Sequence, residues 1–158
     1  MDTETLISEI RDVFPIVTMP TRSELRFHLD GCPQCGYLSD FLDENRNGLI
    51  DGATIRHMHQ ELSCLSAKGW AWMLPHYLRY CFTPEADYNQ METEFLLYNL
   101  APEEQFAPET RVRLSLLTKS QLHCLVHFVE WMRADPKWSE YCPSEIARAL
   151  QFLSALLA

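Results

Sequence analysis

Glycine is scarce, with five residues in a chain of 158. Sandwiches and barrels need turn residues every few positions, so so little glycine argues against an all-β fold. Positive charge is also in short supply. Thirteen Lys and Arg face 22 Asp and Glu, for a net charge of -9. Nucleic acid and anionic membranes recruit proteins through a positive field, so neither is expected as a partner. No apolar run is long enough to span a bilayer. The most apolar stretch, IARALQFLSALLA, is short and carries Arg148 and Gln151. The chain opens MDTETLISEI, with acids where a secretory leader needs Lys or Arg. A cytoplasmic location is therefore expected, and with it reduced cysteines. There is no nucleophile elbow, phosphate-binding loop or dinucleotide fingerprint, and a non-enzymatic role is expected.

What is present is helical periodicity. Leu6, Ile7, Ile10, Val13 and Phe14 form one stripe, stopped by Pro15. PIVTMPTR reads as an extended connector, and SELRFHLDG as a short helix or an irregular approach to the first cysteines. Tyr37, Leu38, Phe41 and Leu42 recur at helical spacing before an Asn/Gly turn. Ile55, Met58, Leu62 and Leu65 face inward on the next helix. AKGWAWMLPHYLRYCF follows, dense in aromatics and kinked or restarted at Pro75. EADYNQMETEFLLYNL reads as one helix, EEQFAPET as a polar loop and RVRLSLL as a short apolar piece of open type. Thr118 with Gln121 is a capping-box pattern ahead of Leu122, Leu125, Val126, Val129 and Met132. A last helix begins near Pro143 and turns Ile146, Leu150, Leu153 and Leu157 inward. Residues 1–158 are read as one all-α domain, a compact bundle of six or seven short helices, one kinked at Pro75.

The stretch HLDGCPQC, residues 28–35, is the densest chemistry in the chain. His28, Cys32 and Cys35 are soft or borderline ligands at the local spacing of half a zinc site. A fourth ligand must come from elsewhere, with His57, His59, Cys64 or a carboxylate as candidates. No second Cys-x-x-Cys exists. Two other readings stay open: a redox dithiol, which ordinarily follows a strand at a helix start, and two cysteines that pack as small hydrophobes. Packing is the first expectation. No cofactor other than zinc at this triplet is suggested.

Weaker constellations occur further on. DENRNGLIDGAT imitates a calcium loop, with Asp43, Asn45, Asn47, Gly48 and Asp51 in register, but Thr54 stands where the bidentate Glu belongs. A polar helix–helix turn explains the same residues. His123 and His127 lie four apart on a helix, yet Cys124 replaces the Glu of the zinc-protease motif, so a polar helix face is expected. His57 and His59, two apart, point to different faces. Trp70, Trp72, Met73, Tyr77 and Tyr80 are read as core, with an interaction surface as the alternative.

An early C-x-x-C (Cys32, Cys35), M-L-P-H-Y-L (Met73 to Leu78), L-T-K-S-Q (Leu117 to Gln121) and F-V-E-W (Phe128 to Trp131) occur in this order. On these the chain resembles an uncharacterised bacterial family of small helical proteins, a domain of unknown function. Val129 stands where Leu is commoner in that family. The resemblance implies an all-α fold and a bacterial cytosolic source, and it carries no activity or site residue.

The functional expectation is an acidic protein that acts by binding a protein partner, in concrete form an immunity protein neutralising a basic toxin. Glu85, Asp87, Glu92, Glu94, Glu103 and Glu104 cluster between residues 85 and 104 and would steer such an encounter. The alternative is a zinc-binding protein using His28, Cys32 and Cys35.

Overall fold

Helix α8 (Lys119–Ala134) lies between α1 (Thr3–Val13) and α10 (Pro143–Leu157), and the other elements assemble around this trio in a computed structural model describing residues 1–158. In chain order the remaining helices are α2 (Pro33–Glu44), α3 (Gly52–Met58), α4 (Ala67–Tyr80), α5 (Pro84–Asn89), α6 (Met91–Leu100), α7 (Ala107–Arg113) and α9 (Pro136–Tyr141). Single 3-10 segments cover Ser23–Leu25, His59–Cys64 and Glu104–Phe106. There is no strand, only one isolated antiparallel bridge between Arg26 and Leu65. The all-α expectation therefore holds. No helix is long and apolar enough to cross a membrane.

The expected count of six or seven helices is corrected to ten. The additional ones are short and irregularly bounded. Pro84, Pro108 and Pro136 each stand in the first turn of a six- or seven-residue helix. A proline read as a terminator is equally suited to that position, where its missing donor has no intrahelical partner to lose. EADYNQMETEFLLYNL is likewise two helices. Gln90 between them has φ +65°, a left-handed value uncommon for a residue with a side chain. APETRVR, taken as the end of a loop and an unassigned piece, is α7.

The inward stripes meet in one apolar cluster of 38 buried residues. α1, with Leu6 and Ile10 buried, and α10, with Ile146 and Leu153 buried, both pack on α8, which buries Leu122, Leu125, Val129 and Met132. Thr118 and Gln121 form the expected capping box, satisfying donors at the start of α8 reciprocally. α4 is the most enclosed element and runs on through Pro75 rather than restarting there. Trp70, Trp72, Met73, Tyr77 and Tyr80 are all buried, so the aromatic stretch is core. Two of its polar tips bond internally: Trp70 Nε1 donates to the Leu62 carbonyl at 3.0 Å, and the Tyr77 hydroxyl to the Glu92 carbonyl at 2.6 Å.

Leu125→Ala at the centre of α8 is expected to cost about 2–5 kcal/mol, the lost transfer energy plus a cavity. Leu116→Ala, at an exposed position just before that helix, should stay within about 0.5 kcal/mol. Urea unfolding of the two variants checks this difference.

Candidate metal centre

Between Pro15 and Gln34 only Leu25 is buried, so hydrophobic burial alone gives this arm little hold on the bundle. Polar bonds supply the rest. The Arg46 guanidinium donates to the carbonyls of Met19 (2.9 Å) and Pro20 (2.7 Å). Arg26 Nε donates to Ser39 Oγ on α2 at 2.8 Å. The Ser66 amide donates to the Leu25 carbonyl at 2.8 Å, and the Phe27 amide to the Cys64 carbonyl at 2.9 Å. Glu24 is paired with Lys68 in the first turn of α4. The arm is thus laid backbone-to-backbone along residues 64–66, directly before His28.

Beyond His28 the chain reverses at Gly31, whose φ of +83° a side chain would strain. Cys32 follows as the N-cap residue of α2, with Pro33 in its first turn. The Cys35 amide, and after it the Cys35 side chain, hold the Cys32 thiol below its ordinary value. One turn on, Cys35 points into the protein at 1% exposure, and its Sγ lies 3.3 Å from His28 Nδ1. The ligand atoms of His28, Cys32 and Cys35 all lie within 4.8 Å of one another. Two thiolates on one tetrahedral zinc, with bonds of about 2.3 Å, stand about 3.8 Å apart, so small side-chain rotations suffice to close such a site.

The other sequence candidates are not brought to this place. His57 stacks on Phe41, and His59 holds the Arg56 carbonyl through Nδ1. His127 Nδ1 is 2.9 Å from Glu9 on α1, while His123 is exposed, so the pair does not converge on a shared ion. In the calcium-like turn Asp43 accepts from Arg46, Asn45 donates to the Phe41 carbonyl, and Asp51 caps α3 through the Thr54 amide. Those groups are engaged in local bonds. Cys81, Cys124 and Cys142 are packed elsewhere in the core, where burial pushes their thiols up to about 12, 12 and 11.

The acidic residues between 85 and 104 do not make one free face. Glu92 is only 1% exposed, and its Oε1 accepts from the Tyr80 hydroxyl at 3.0 Å, so it offers a partner nothing. Glu85 is paired with Arg56, Asp87 with Lys137, and Glu94 accepts from the Tyr98 hydroxyl. Glu103 and Glu104 are exposed.

A cleft of about 540 Å³ adjoins the cysteines, with His28, Ser63, Tyr98, Arg113, Glu145 and Arg148 in its wall. Arg113 joins cleft and cluster. It is 6% exposed, donates from Nε to the Ser63 carbonyl at 3.1 Å, and lies over the Phe27 ring at 4.1 Å.

Fold and site together define a small all-α protein with a histidine–cysteine cluster at the entry to its second helix. Residues 37–147 match a family of unknown function (DUF6714), and the chain belongs to that family. The matched stretch begins just after Cys35 and includes Cys64. No curated protein and no solved structure matches the chain.

The Glu24 clip makes the arm acid-sensitive. Hydrogen bonds from Lys68 and then Thr21 hold the Glu24 carboxyl at about 2, against an ordinary 4.5. A depressed carboxyl stabilises the fold above its unfolded value, and that contribution is lost as pH falls from about 4.5 toward 2. Glu24→Gln is therefore expected to flatten the acid limb of Tm against pH in this window while lowering Tm at neutral pH. An unchanged acid limb would show that the clip is not formed.

Proposed function

We propose that this protein binds a zinc ion through His28, Cys32 and Cys35, and that the ion fastens the N-terminal arm to the helical bundle. The convergence of the three ligand atoms within 4.8 Å supports this most directly. Thiolate and imidazole are the donors zinc takes in structural sites. The setting gives the ion a task, because residues 15–34 bury only Leu25 and rely on polar bonds to stay in place. A metal link of this kind contributes directly to folding free energy. A dithiol redox role is less well served. Cys-x-x-Cys here opens a helix after an irregular arm, without the preceding strand of thioredoxin-like folds.

The full chain, purified reduced with zinc present, should carry about one zinc by elemental analysis, and Cys32→Ser and Cys35→Ser should lose it. Chelation should lower Tm by about 10 °C, the shift that loss of roughly 3 kcal/mol produces in a chain of this size. Metal-free protein whose Tm does not respond to added zinc would remove the proposal.

A second reading rests on a different observation. Tyr88 is 89% exposed on α5, next to Asp87 and one turn after Glu85, with Met91 also exposed just past Gln90. An exposed tyrosine among acids is suited to anchoring a basic protein partner, of which a toxin neutralised by an immunity protein is one form. Calorimetry against a basic protein at low and high salt should then show salt-dependent association, weakened about tenfold or more by Tyr88→Ala with Tm unchanged. Binding that survives Tyr88→Ala undiminished would exclude this surface.

A further inference from the structure

We propose that Cys64 is the fourth zinc ligand, closing with His28, Cys32 and Cys35 a site of three thiolates and one imidazole that has no open position. This rests on the zinc reading above and specifies what kind of centre it is. The placement of Cys64 comes from the backbone. Its carbonyl accepts from the Phe27 amide at 2.9 Å, and the next residue, Leu65, bridges Arg26. The residue is therefore registered against the two positions immediately before His28. Its side chain is 5% exposed, and its sulfur, outside the set of His28, Cys32 and Cys35 ligand atoms that lie within 4.8 Å of one another, would turn toward that set to complete the site. Competing donors are accounted for. His57 is stacked on Phe41, His59 is held by the Arg56 carbonyl, and Glu61 accepts from the Cys64 thiol at 3.8 Å.

Charge supports the same count. Zinc with three thiolates and a neutral imidazole carries one net negative charge, whereas two thiolates would leave it neutral. The Arg113 guanidinium is anchored on the carbonyl of Ser63, the residue before Cys64. A buried guanidinium beside a singly negative centre lowers the cost of holding both away from water, even though Arg113 also reaches Glu109 at 3.3 Å.

A zinc with four protein ligands is structural, while a catalytic zinc keeps a place for water or substrate. The cleft lined by His28 and Ser63 then borders a metal centre that presents no reactive coordination position to it.

The test is cobalt substitution into the reduced full chain, followed by zinc-edge X-ray absorption of the wild type. The wild type should show tetrahedral cobalt bands, and Cys64→Ser should lose about a third of the thiolate-to-cobalt charge-transfer intensity, as three thiolates become two. Cys124→Ser, far from the cluster, should leave the spectrum unchanged. Should Cys64→Ser fail to fold, X-ray absorption of the wild type still decides, with three sulfurs and one nitrogen around zinc expected. Two sulfurs with an oxygen, or an undiminished spectrum in Cys64→Ser, overturns the Cys64 assignment and leaves metal binding standing. A wild type that takes up neither metal overturns both.

Discussion

Two backbone hydrogen bonds govern the arrangement of this end of the molecule: Phe27 amide to Cys64 carbonyl, and Ser66 amide to Leu25 carbonyl. They flank the single bridge between Arg26 and Leu65. Everything chemically notable lies within a few residues of them. On one side stand His28 and, past the Gly31 reversal, Cys32 and Cys35. On the other stand Cys64 and the start of α4. The constraint is local and weak in itself, since a net hydrogen bond contributes only about 0.5–1.5 kcal/mol. It has effect because α4 is the most enclosed helix of the fold, so residues 64–66 present the arm with a fixed edge.

The six cysteines divide by environment. Cys81, Cys124 and Cys142 sit singly in the core, where burial raises each thiol and makes it an inert small hydrophobe. Cys32, Cys35 and Cys64 share one neighbourhood. There the Cys35 amide at the entry to α2 favours the Cys32 thiolate, while burial and the Cys35 side chain push the Cys64 thiol up. Three thiols crowded together cannot all ionise without a compensating cation. The proposed divalent ion would resolve that conflict by taking the place of the protons, which would tie its binding to pH as well as to folding.

The stripes of α1, α8 and α10 were legible in the sequence because apolar period, caps and terminators agreed. Leu122, Leu125, Val129 and Met132 behind the Thr118–Gln121 box are the clearest case. The short helices were not legible, because six or seven residues carry too little period to outweigh a proline, which can end one helix or open the next. Glu92 was misread for a related reason. Nothing in its neighbourhood of acids signals that Tyr80 and Asn89 will bind its carboxylate inside the protein. His28, Cys32 and Cys35 were visible as a spacing. What spacing cannot give is convergence, because the reversal at Gly31 decides whether the imidazole turns toward the cysteines or away.

Family membership and the metal centre rest on different parts of the chain. The matched residues, 37–147, span α3 to α9 and most of α2, the frame that buries α4 and supplies Cys64. His28, Cys32 and Cys35 lie before that stretch, on the arm and at the entry to α2. The proposed zinc ligands His28, Cys32 and Cys35 therefore lie outside the stretch that defines the family. The frame contributes a buried thiol and the Arg113 guanidinium, neither of which by itself identifies a site. The arm contributes His28 and Cys32, and the first turn of α2 contributes the buried Cys35. Only their meeting at residues 64–66 gives the thiol, the guanidinium and the arm a common purpose. The proposed zinc would thus join two parts of the molecule, drawing its ligands from both sides.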